Sequence, residues 1–71
     1  MEKDHREYTN SEIKALILEY VHNSDDRKML FWRLVDGQTF EEIGARMNMT
    51  TKTARVRIHK QEEILFRHLP G

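Results

Sequence analysis

Residues 39–51 read TFEEIGARMNMTT, and this stretch decides the fold. Thr39 and Glu42 have the spacing of a capping box, so a helix is expected to begin there. Asn48 tolerates the left-handed backbone conformation, and Thr50 can cap a new helix. One side of the first helix carries apolar or small residues, namely Phe40, Ile43, Gly44 and Met47. The stretch therefore predicts a short helix, a tight turn and a second helix.

Gly44 indicates how closely these two helices cross. Glycine inside a helix is less favourable than alanine by about 1 kcal/mol, and close approach of the next helix is a reason to accept that loss. The alternative is an unremarkable surface glycine. Two helices joined by so short a turn predict a helix-turn-helix over residues 39–61.

The helix that follows Thr50 has two distinct faces. Its core positions recur at helical spacing, at Ala54, Ile58, Gln61 and Leu65. A second set lies on another face at i, i+3, i+4 and i+7, formed by Lys52, Arg55, Val56 and His59. The pattern continues to about His68, before Pro70 and Gly71 end it.

Upstream of this stretch the sequence predicts a first helix from about Ser11 to His22. Thr9 and Glu12 have the form of another capping box. An apolar stripe follows at Ile13, Leu16, Ile17, Tyr20 and Val21.

A second helix is expected from Arg27 to Asp36, with Ser24 as its N-cap and Asp25 and Asp26 at the positive end of its dipole. It is apolar nearly all round, so it should lie centrally, and Gly37 should stop it. The alternative is a strand over residues 29–35 with a hairpin turn at 36–37. Residues 39–47 lack the alternation of a partner strand, which favours the helix.

The fold class expected is therefore all-α, a small four-helix domain with a C-terminal helix-turn-helix. The chain has 71 residues and no cysteine, so we expect one domain without disulfides. Residues 1–9 should form a flexible arm and residues 10–69 the domain. No apolar run is long enough to cross a membrane, and a cytoplasmic protein is expected.

The overall charge of zero hides a division along the chain. Residues 1–26 carry three Lys or Arg against seven Asp or Glu, a balance of −4, and residues 27–71 carry nine against five, a balance of +4. Residues 50–61 include four Lys or Arg and no acid. Such a local basic stretch is typical of a phosphate-binding surface, although a solvated helix face is the plain alternative.

The basic face of the last helix suggests double-stranded DNA as the partner. Lys52 and Arg55 suit guanine O6 and N7 in the major groove, and Val56 suits a thymine methyl group. A singly exposed valine is the other interpretation of Val56. The candidate phosphate contacts are Thr39, Thr50, Thr53, Arg57, His59 and Lys60. Arg57 and Lys60 lie to the side, where salt bridges with Glu62 or Glu63 are also expected.

The segment from Arg27 to Gly44, continued by residues 49–55 and 58–60, resembles the C-terminal promoter-binding domain of bacterial sigma factors. It is more similar still to the short sigma-like helix-turn-helix proteins of phages and prophages, as is the tail at residues 63–69. The resemblance covers roughly Ile13 to Leu69. It implies an all-helical, DNA-binding transcription regulator, and it adds Thr51 to the base-reading positions Lys52, Arg55 and Val56.

Two positions depart from that family. Asn48 stands where glycine is usual, and Ala54 stands where a β-branched residue is usual. The turn and the packing between the helices are therefore expected to be adjusted. The chain also lacks the other sigma domains, so promoter opening on its own is not expected.

Other classes of function are less well supported by the residues. No histidines are spaced i, i+4 as ligands, and no nucleophile motif or glycine-rich phosphate loop occurs, so an enzyme, a cofactor, a metal or a small-molecule substrate is not expected. A protein-interaction module is the main alternative, with RNA polymerase, a phage protein or a second copy as partner. The DNA-recognition subunit of a packaging terminase is another alternative function.

Overall fold

The computed structural model describes residues 8–68, and within that range the chain is helical with no strand. It has four α-helices: α1 Asn10–Tyr20, α2 Ser24–Leu30, α3 Phe40–Met47 and α4 Thr51–Arg67. A π-helical segment, Phe31–Val35, continues α2 directly. No helix in this range is both long and apolar enough to cross a bilayer. Most of the expected N-terminal arm, residues 1–7, lies outside the described residues.

Helix α1 is fixed at both ends by side chains. The Thr9 amide donates to Glu12 Oε1 at 2.8 Å and the Glu12 amide donates to Thr9 Oγ1 at 3.2 Å, which confirms the capping box. The helix ends at Tyr20, earlier than expected, because Val21 is extended. Arg27 of α2 donates to the carbonyl oxygens of Leu18, at 2.8 Å, and Val21. This guanidinium satisfies carbonyls that the end of α1 leaves without helical partners.

Helix α2 starts earlier than the sequence indicated. The expectation of a Ser24 cap was wrong, because the cap is Asn23, whose Oδ1 accepts from the Asp26 amide at 3.0 Å. Ser24 is therefore the first helical residue, and Asp25 and Asp26 lie in the first turn as expected.

The prediction of a helix over residues 29–36 is confirmed, but its second half is π-helical rather than α-helical. The Asp36 amide donates to the Phe31 carbonyl at 3.1 Å, five residues back. Gly37 then stops the helix at φ +72°, in the left-handed region, as expected. The Gln38 amide closes the end by donating to Trp32 O at 2.9 Å. Burial is uneven here: Met29 and Leu30 of α2 are buried, whereas residues 31–35 are only half-buried.

All four helices contribute to one core, and α4 packs against each of the other three. The buried apolar residues are Ile17, Val21, Met29, Leu30, Ile43, Ala54, Ile58 and Leu65. The α4 positions expected in the core are confirmed at Ala54, Ile58 and Leu65, and Gln61 is half-buried at its edge. This packing fixes which side of α4 is left to solvent.

Candidate nucleic-acid interface

The turn between α3 and α4 is made by residues 48–50, and the sequence predicted the roles of the first and the last. Asn48 caps α3 in the left-handed conformation, with φ 57° and ψ 46°. The Met49 amide then donates to the Gly44 carbonyl at 2.8 Å. Thr50 caps α4, where its Oγ1 accepts from the Thr53 amide at 3.1 Å. These bonds set the angle at which α4 leaves α3.

Gly44 is buried, so the surface interpretation of this glycine is wrong. A Cβ built on it would lie 2.8 Å from the carbonyl oxygen of Met49 and 3.2 Å from that of Thr50. The close approach expected at this position is therefore present. Its neighbour is the backbone of the turn and of the α4 cap, however, rather than the side of the next helix.

The N-terminal half of α4 presents a continuous polar surface opposite the core. The exposed residues of this half are Thr51, Lys52, Thr53, Arg55, Val56, His59 and Lys60. Ala54 and Ile58, between them in sequence, are fully buried. Val56 is 57% exposed, so a valine lies in solvent among basic side chains. We call the exposed residues from Thr51 to Lys60 the α4 basic face.

The start of α3 lies beside this face. Thr39 caps α3 through a capping box with Glu42, with distances of 2.8 and 3.1 Å. The Phe40 ring meets the His59 ring edge to face, with centroids 5.3 Å apart. The Arg33 guanidinium also lies over the Phe40 ring, 4.2 Å from the ring centroid. His59 is thus packed against α3 rather than standing free on α4.

Two arginines that the sequence did not single out gather around Gln38. Arg33 donates to the Gln38 carbonyl at 2.9 Å, and Arg46 donates to Gln38 Oε1 at 2.9 Å. The Arg46 guanidinium also lies 5.2 Å from the Trp32 ring centroid. They come from the π-helical segment and from α3, and no sequence periodicity links these elements. Only the fold brings the two cations together.

Arg57 was predicted to be a phosphate contact, but its side chain is paired with an acidic residue of α2. Its Nη2 donates to Asp26 Oδ1 of α2 at 2.8 Å, and the Asp26 side chain is only 9% exposed. The expectation of salt bridges with Glu62 or Glu63 was wrong for Arg57, because its side chain turns toward α2, and it was wrong for Lys60, which forms no ion pair within residues 8–68. Asp26 offsets the charge of Arg57, and the ion pair holds the Arg57 side chain against α2.

The remaining cations of the α4 basic face are uncompensated. Within residues 8–68, the side chains of Lys52, Arg55 and Lys60 form no ion pair or hydrogen bond. The first turn of α4 contains no acidic residue, although the positive end of a helix dipole favours one. Positive charge therefore accumulates where the helix begins, which suits an anionic partner.

No protein-family model, curated protein or solved structure matches this chain. Among the described residues, no group of three or more His, Asp or Glu side chains is placed to hold a metal ion. A function must therefore be inferred from the residues and their arrangement.

Proposed function

We propose that the chain binds double-stranded DNA through a helix-turn-helix made of α3, the 48–50 turn and α4. The observation that carries this proposal is the α4 basic face, with three uncompensated cations beside an exposed valine. A major groove admits one α-helix, and the N-terminal residues of that helix reach the base edges. The N-terminal half of α4 has the charge and the exposure that such docking requires.

Within that helix we assign base reading to four side chains. Lys52 and Arg55 would donate to guanine O6 and N7, and Val56 would meet a thymine methyl group. Solvent exposure of Val56 supports this role, because the core does not use the side chain. Thr51 is included because of the resemblance to sigma factors.

Phosphate contacts are assigned to residues that flank the base-reading set. Lys60 and His59 lie farther along the face, and Thr39 lies at the start of α3. Thr39 accepts a hydrogen bond as a cap, which leaves its hydroxyl proton free for a phosphate oxygen. Thr50 uses its proton on Thr53 Oγ1, at 2.9 Å, so the Thr53 hydroxyl is the better donor of that pair. Arg57 is removed from the set because of its bond to Asp26.

The biological role proposed is that of a sigma-like transcription regulator of a phage or prophage, acting in the cytoplasm on DNA. Its support is the resemblance of residues 27–60 to the promoter-binding domain of sigma factors, together with the capped helix pair described above. The left-handed Asn48 supports the same assignment, since it gives the turn the conformation that the more usual glycine adopts easily.

The test begins by selecting bound sequences from a random duplex pool and titrating the best duplex at several salt concentrations. We expect Arg55→Ala to weaken specific binding by roughly 1–3 kcal/mol without loss of helical circular dichroism. Lys28→Ala is the matched control, because Lys28 is an exposed cation of α2 and is not part of the α4 basic face. Equal binding by wild type and Arg55→Ala, or binding without salt dependence, would contradict the proposal.

A protein-interaction module is the second candidate, and one observation favours it. An open groove with aromatic walls lies between α1 and the π-helical segment, and no residue of α3 or α4 lines it. Both activities can exist in one chain, since they use different elements.

A further inference from the structure

The groove has a volume of about 370 Å³ and is lined by Lys14, Phe31, Trp32, Val35 and Asp36. Lys14 comes from α1, three lining residues come from the π-helical segment, and Asp36 follows at its C-terminal end. The π-helical turn places Phe31, Trp32 and Val35 at one surface, where each is half-buried. Short π-helical turns are rare and occur frequently at functional sites.

The chemistry of the groove is that of an interface. Its walls are two aromatic rings and a valine, the kinds of side chain that favour protein contacts over water. Two exposed charges of opposite sign, Lys14 and Asp36, line the groove with them. Neither forms an ion pair or side-chain hydrogen bond within residues 8–68. Each charge is therefore available to a partner.

We propose that this groove is the interface of a symmetric dimer, in which Lys14 of each copy pairs with Asp36 of the other. A two-fold axis brings the same patch of both copies together. If residue i of one copy contacts residue j of the other, then residue j of the first copy also contacts residue i of the second. One base and one acid flanking an apolar strip satisfy this condition. The same two residues then form two ion pairs around a shared aromatic centre.

Charge complementarity selects a second copy over other partners. The lining includes one positive and one negative charge, so its net charge favours neither a strongly basic nor a strongly acidic surface. A copy of the groove turned by 180° supplies both countercharges and a matching apolar strip. The occupant is thus specified by the chain itself.

Dimerisation through this groove leaves the α4 basic face uncovered, because no residue of α4 lines the groove. A single DNA-binding module buries only about 600–1,000 Å² of protein surface on DNA, so two linked modules would bind more tightly. This consequence rests on the proposed DNA binding. The dimer itself does not, and it is tested without DNA.

The test uses charge reversal and analytical ultracentrifugation over a range of protein concentrations. We expect the wild type to dimerise, and Lys14→Glu alone or Asp36→Lys alone to raise the dimer Kd by about tenfold, because both ion pairs become repulsive. Both positions are exposed, and a basic residue at position 36 suits the negative end of a helix, so the fold should persist. Circular dichroism of each variant verifies this.

An equimolar mixture of the two single variants is the decisive arm. In a mixed dimer, the acid introduced by Lys14→Glu in one copy would meet the base introduced by Asp36→Lys in the other. At the second contact the unchanged Asp36 of the first copy would meet the unchanged Lys14 of the second, so both ion pairs return. We expect the mixture to dimerise as tightly as the wild type.

Lys28→Glu is the control, because it makes the same change of charge outside the groove and should leave the dimer Kd unchanged. A wild type that stays monomeric at all concentrations would overturn the proposal. A mixture that dimerises no more tightly than either variant alone would overturn it as well.

Discussion

The carbonyl oxygens of Met49 and Thr50 lie against Gly44, and a Cβ there would stand 2.8 Å from the first of them. We expect Gly44→Ala to lower the free energy of unfolding by about 1–3 kcal/mol, although alanine is the better helix former by about 1 kcal/mol. Gly44→Leu should prevent folding. Urea denaturation measures the first effect and circular dichroism the second.

Ala45→Gly is the control for this prediction, because Ala45 is exposed in the same helix and reports helix propensity alone. If Gly44→Ala stabilised the protein by as much as Ala45→Gly destabilises it, the backbone contact would have no energetic role. The sequence indicated a close approach at Gly44, but not which atoms make it. Those atoms belong to a turn whose path depends on the left-handed Asn48 and on the Thr50 cap.

At the scale of elements, Asp26 and Arg57 tie α2 to α4, and the pair separates a structural cation from those proposed to bind DNA. Arg57→Ala leaves a buried carboxylate without its partner, so we expect the free energy of unfolding to fall by about 1–2 kcal/mol, discounted because Arg57 is 38% exposed. The salt dependence of DNA binding should not change. Thermal denaturation and salt titrations measure the two effects.

Lys60→Ala is the matched variant on the same helix. We expect it to change the salt dependence of DNA binding and not the stability, the opposite of Arg57→Ala. Lys60 is exposed and unpaired within the described residues, so its removal should leave stability unchanged. It should reduce the slope of log K against log salt by about 1, the contribution of one phosphate contact. A smaller slope for Arg57→Ala, with stability unaltered, would show that Arg57 is a phosphate contact after all.

The elements differ in how far the sequence could predict them. The Thr9–Glu12 and Thr39–Glu42 capping boxes and the Gly37 stop were predicted correctly, because their partners lie within a few residues in the chain. The Asn23 cap was missed because Ser24 beside it is an equally good capping residue type. The π-helical segment has no periodic signature in five residues. The segment packs against α1 and α3, and spacing along the chain does not reveal such contacts.

The same distinction between local and distant contacts applies to the candidate site. Exposure of Lys52, Arg55 and Val56 followed from helical spacing alone, and the structure confirms it. The Asp26–Arg57 bond joins residues 31 positions apart, so no spacing rule could reveal it. The contact between Phe40 and His59 likewise depends on the crossing of α3 and α4. Sequence periodicity therefore predicts faces, while partners across helices require the fold.

Across the whole molecule, the zero net charge conceals two surfaces with different proposed uses. The positive balance of residues 27–71 is concentrated at the start of α4, and the groove lies where α1 meets the π-helical segment. Because no lining residue belongs to α4, DNA binding and self-association should respond to separate substitutions. Arg55→Ala should leave the dimer Kd unchanged, and Lys14→Glu should spare the contacts of each module with DNA.

The most direct test of the central claim is to follow the backbone amides of isotope-labelled protein by NMR during titration with the selected duplex. The amides of residues 50–60 and of Thr39 and Phe40 should show the largest chemical-shift changes, because these positions form the α4 basic face and the start of α3. The amides of Lys14, Val35 and Asp36, which line the groove, should change little. Largest changes at the groove instead, or no changes along α4 at saturating DNA, would contradict recognition by α4.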